Sequence, residues 1–165
     1  MSRAGRALGN LAGGVETNRA NVIQIELVGT ADKRLAEKWG APSLYVEQWP
    51  AKYLAGIAAW MRWVEANFAV PPRCTVRFLK YPASAGADNP NRLGSSDWVR
   101  YAGWLGHQHV PEQERGHGDP GLIDIAALLA GAEDLSIVDE KTQRYLDEQF
   151  KSIGKRVDRA VKRVG

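Results

Sequence analysis

All three histidines of this chain, His107, His109 and His117, fall in one short segment, GHQHVPEQERGHGDPG, and Asp119 follows two residues after the last. Imidazole nitrogens and carboxylate oxygens are the ligands a zinc ion takes when cysteine is scarce. A hydrolytic zinc site needs about three such ligands and one open position, where bound water becomes acidic enough to attack a carbonyl. Spacing alone also admits a polar surface loop. If residues 106–110 are extended, His107 and His109 point the same way, and the loop from Pro111 to Gly118 returns His117 or Asp119 toward them. The Asp119-Pro120-Gly121 step suits that return, since proline restricts the residue before it and glycine permits a tight turn. Nucleophilic catalysis has less to stand on: Cys74 is the single cysteine, it has no histidine or acid beside it in sequence, and no Gly-x-Ser-x-Gly is present.

Glu26 is the second candidate. It lies in NVIQIELVG, residues 21–29, where Val22, Gln24 and Glu26 alternate with Ile23, Ile25 and Leu27. That alternation predicts a strand with one apolar face. A carboxylate there is placed for general acid or base work if buried, or marks the exposed face of an edge strand.

Other elements must position these groups. Leu54, Ile57, Met61, Val64 and Phe68 recur at three- and four-residue steps, predicting an amphipathic helix over 51–68 that stops before Pro71-Pro72. Residues 75–81 are a short strand candidate, 82–96 a polar loop, and 122–129 a closing helix with Gly131 as its stop. Beyond lies a different pattern, with Leu146, Phe150, Ile153, Val157, Ala160 and Val164 alternating four- and three-residue steps. This predicts a C-terminal amphipathic helix over 146–164 that either lies on the body, self-associates as a short coiled coil, or rests on an anionic surface. The chain therefore divides into a domain over 1–132 and a basic helical tail over 133–165.

Composition narrows the classes. The chain has 165 residues, 44% hydrophobic and 25% charged, which is ordinary for one globular domain. A net charge of +3 suggests nucleic-acid binding until it is located. From Lys141 onward eight basic residues face three acids, whereas residues 1–140 carry 14 basic and 16 acidic residues. The body has no basic surplus for nucleic acid, and polyanion attraction belongs to the tail. No apolar run approaches the roughly 20 residues of a membrane span, and the N-terminus lacks a signal-like apolar core.

Three segments together resemble the zinc-dependent N-acetylmuramoyl-L-alanine amidases of the type-2 amidase and peptidoglycan-recognition family, especially the endolysins of phages of actinobacteria. NRANVIQIELVGT is similar to the family's central strand, 51–68 falls where its long helix follows, and GHQHVP with HGDPG resembles its metal segment. The resemblance covers roughly residues 5–130. It implies an α/β fold, a mixed β-sheet flanked by helices, with Zn²⁺ as cofactor. By position it makes His107 and Asp119 zinc ligands, Glu26 the water-orienting or deprotonating group, and His117 the group that steadies the oxyanion. His109 falls at a variable position with a supporting role. The family's first ligand is a histidine on an early strand, and no histidine precedes His107, so the resemblance implies a domain lacking its N-terminal strand or strands. The implied activity is cleavage of the amide between N-acetylmuramic acid and L-alanine in bacterial peptidoglycan during host lysis, by a protein cytoplasmic until then. The alternatives are a non-catalytic peptidoglycan-binding remnant and an oligomerising interaction protein.

Overall fold

The computed structural model describes Thr17, residues 22–111 and 116–131, and the helical positions Arg144 and Glu148. The expected tail helix over 146–164 and its self-association lie outside the described residues, except that Glu148 is helical.

The long helix forms where the apolar spacing places it. We label the helices α1 (Lys33–Lys38), α2 (Ala51–Phe68), α3 (Ser95–Arg100) and α4 (Ile125–Ala130). α2 starts directly after Pro50 and ends at Ala69, whose left-handed backbone (φ 54°) turns the chain toward Pro71-Pro72. Its buried residues are Ala55, Ala58, Met61 and Val64, so small side chains let neighbouring segments approach it closely. The closing helix is shorter than the predicted 122–129 at its start. Asp124 caps α4 by accepting from the Ala127 N–H, and Gly131 (φ 66°) ends it. α4 packs on α2. The core joins Ala58 and Met61 of α2 to Val46, Phe78, Ile123 and Leu128, with Trp49, Trp60 and Trp104 half-buried around them.

The mixed β-sheet expected from the sequence is not formed. Among the described residues there are four α-helices and three short 3-10 turns but no β-strand, and an isolated bridge between Thr30 and Tyr45 is the only β pairing. Alternating side chains suit a strand, but a strand exists only when a neighbour pairs with its backbone. Along residues 22–28 no described segment does so, and Ile23, Ile25 and Val28 stay exposed, Val28 at 81%. The predicted strand at 75–81 fails for a different reason. Side chains take its polar groups: the Thr75 N–H donates to the Tyr101 hydroxyl, the Leu79 N–H to Gln108 Oε1, and the Arg77 carbonyl accepts from Asn91 Nδ2. These groups are committed to side chains from distant segments rather than to a neighbouring strand.

Candidate metal centre

His107 opens a 3-10 turn, His107–His109, so residues 106–110 are not extended and the two histidines diverge. The 3.0-residue period of the turn sends His109 inward, where it is fully buried with its ring edge-on to Phe78 at 4.6 Å between centroids. There the Gly106 N–H donates to His109 Nδ1 and His109 Nε2 donates to the Arg77 carbonyl, each at 3.0 Å. These contacts place the single proton on Nε2, and burial pushes the imidazole pKa down, against the two backbone hydrogen bonds. His109 is thus a structural pin with both nitrogens occupied.

His107, His117 and Asp119 are brought together, with one potential ligand atom from each lying within 4.8 Å of the others. His107 Nδ1 is 3.1 Å from Asp119 Oδ2, and His117 Nδ1 is 3.7 Å from Asp119 Oδ1. The two imidazoles stack, 7° from parallel with centroids 4.7 Å apart. Ligands about 2.1 Å from a tetrahedral zinc ion stand about 3.4 Å from one another, close to the separations of both imidazoles from Asp119. Burial pushes the Asp119 carboxyl up, but the adjacent His107 and His117 imidazoles outweigh it and hold its pKa below the usual value. The carboxylate is therefore ionised and available as a ligand near neutral pH.

The loops that carry these ligands are bound to each other rather than to a sheet. Gln108, between the two histidines of the turn, is fully buried. Its backbone N–H donates to the Asp119 carbonyl at 3.0 Å, its Nε2 donates to the Gly121 carbonyl at 2.8 Å, and its Oε1 accepts from Leu79. One side chain thus fixes the His107 turn against the Asp119 turn. Asn89 adds a second tie, donating from Nδ2 to the carbonyls of Ser84 and Gln108. Close backbone approach completes the arrangement: a Cβ on Gly118 would stand 2.7 Å from the Ala85 nitrogen and 2.8 Å from the Ser84 carbonyl carbon.

The cluster lines a cavity of about 850 Å³. Glu26 lines the same cavity, together with Ile23, Ile25 and Leu27, but it is exposed there rather than buried. Residues 22–27 therefore line the cavity without pairing in a sheet among the described residues. Sequence reasoning set His107 and Asp119 as ligands, with His117 in the oxyanion role and no third ligand assigned, and passed over Gln108 and Asn89. A glutamine flanked by two histidines was a signal for the first; nothing in the polar 82–96 stretch distinguished the second.

Comparison with family profiles, curated proteins and solved structures gave no match to this chain. Among the described residues no helix is long and apolar enough to cross a membrane.

Proposed function

We propose that the chain is a zinc-dependent amide hydrolase acting on bacterial peptidoglycan, cleaving between N-acetylmuramic acid and L-alanine, with His107, His117 and Asp119 as metal ligands. The observation that carries this is the convergence of two imidazoles and a carboxylate at one cavity, which Glu26 also lines. The sequence resemblance supplies the substrate and the lysis role. His117 is used here as the third ligand in place of the oxyanion-steadying role the resemblance implies, because its ring stacks on His107 and its Nδ1 faces Asp119.

A bound Zn²⁺ supplies Lewis acidity toward water and the substrate carbonyl. The chain's own groups do the rest. His107, His117 and Asp119 would hold the ion at the cavity, and Glu26 takes a proton from the attacking water as the carbon–oxygen bond forms. The same carboxyl then returns that proton to the alanine nitrogen as the carbon–nitrogen bond breaks, which leaves a lactyl carboxylate and a free amine.

The test is elemental analysis of the purified chain after dialysis against a weak chelator, followed by incubation with cell walls. Stoichiometric zinc and new alanine amino termini without new reducing ends are expected. Zinc-free protein that still sediments with walls would instead establish a binding module.

A further inference from the structure

We infer that Arg92 is the positioning residue of this metal centre, acting through the backbone of the two histidine ligands; the inference rests on the metal-centre reading above. Arg92 lies in the polar loop before α3, a stretch without regular structure, yet its guanidinium joins three separate segments. Its Nη2 donates to the carbonyl of His117 itself at 2.8 Å. Its Nη1 donates to the Val110 carbonyl at 3.1 Å, and its Nε to the Gly86 carbonyl at 2.9 Å. Val110 in turn donates its N–H to the His107 carbonyl and closes the turn that carries the first ligand. One planar group therefore spans the two ends of the excursion between His107 and His117.

The brace is itself held. The Arg92 N–H donates to Asn89, and the next residue, Leu93, donates to the His109 carbonyl. The Gly86 N–H donates to the Gly116 carbonyl at 2.7 Å, so the segment that Arg92 grips through one carbonyl also grips the loop leading into His117. A Cβ on Gly116 would stand 2.8 Å from the Gly86 Cα, so a side chain there would force the two loops apart. The guanidinium spreads its N–H groups over three nitrogens in a rigid fork and so reaches three separate carbonyls; a lysine ammonium keeps the charge but has its three donors on one nitrogen. Groups that hold metal ligands from behind typically contribute 10–100-fold to metal affinity.

The experiment compares the full chain with Arg92→Gln and Arg92→Lys, titrating each with Zn²⁺ in competition with a chromogenic chelator. Visible spectra of each with saturating Co²⁺ are recorded alongside thermal unfolding of the metal-free proteins. Both variants should bind Zn²⁺ at least about tenfold more weakly and show shifted Co²⁺ bands, with Arg92→Lys no better than a few-fold above Arg92→Gln. Wild-type Zn²⁺ affinity and an unshifted Co²⁺ spectrum in either variant would overturn the inference, whatever its melting temperature. If wild-type protein takes up neither metal, the metal-centre reading falls, and the positioning role is read from the imidazole NMR shifts of His107 and His117 instead. Unmoved shifts in Arg92→Lys would then overturn it.

Discussion

Residues 22–28 and the loops around the histidine cluster make opposite use of sequence. The first has the alternating β-branched pattern of a strand and forms no ladder among the described residues, leaving Ile23, Ile25 and Val28 exposed. The second has almost no regular structure, yet Gln108 and His109 are fully buried and every hydrogen-bonding nitrogen and oxygen of their side chains has a partner. The comparison teaches that order at this site comes from polar side chains that meet backbone groups over long sequence distances. Periodic hydrophobicity guides a segment to a sheet only if the sheet is there to receive it.

Substitutions should separate the two regions. The largest effect belongs to the ligands: Asp119→Ala should reduce zinc from stoichiometric to background by elemental analysis, and full retention would remove Asp119 from the metal site. Glu26→Gln should keep the metal while wall hydrolysis falls by about 10²–10⁴-fold, the usual share of a general base. Equal turnover in that variant would show that residues 22–28 contribute only a wall of the cavity. In the loop cluster, Gln108→Leu leaves the Leu79 N–H without its partner and takes one of two donors from the Gly121 carbonyl, which keeps the Ile123 N–H. It should cost about 2 kcal/mol in urea denaturation, given roughly 1–3 kcal/mol for a buried unsatisfied group. Gly118→Ala forces a methyl onto the backbone of Ser84 and Ala85 and should cost about 1–3 kcal/mol by the same measurement. The smallest change is expected at Ile25→Thr, within about 0.5 kcal/mol, because that side chain is nearly half exposed. A loss as large as that of Gln108→Leu would mean that residues 22–28 are packed far more tightly than their exposure indicates.

Much of the helical frame was legible. The three- and four-residue spacing set α2 to the residue at both ends, because a helix makes its hydrogen bonds within its own segment and needs only one apolar face to dock. Gly131 likewise marked the end of α4. The extended reading of residues 106–110 failed because a 3-10 turn satisfies His109 from Gly106 and Arg77, and the latter lies 32 residues away. Nothing local announces such a partner. The strand at 75–81 failed on the same ground, since Tyr101 and Gln108 take its N–H groups from 26 and 29 residues away.

By itself, then, the sequence determined the long helix, the concentration of imidazoles in one short segment, and the Asp-Pro-Gly turn that follows them, all of which depend on neighbours within a few residues. Only the tertiary structure decided that His117 and Asp119 both return to His107 while His109 is spent on the backbone. It also decided that Gln108, Asn89 and Arg92 hold the loops of the histidine cluster, and that residues 22–27 line the cavity without joining a sheet among the described residues. The physical reason is range. Helix and turn propensities act through covalent neighbours, whereas a polar clasp or a strand ladder needs a partner that only the folded chain brings within hydrogen-bonding distance.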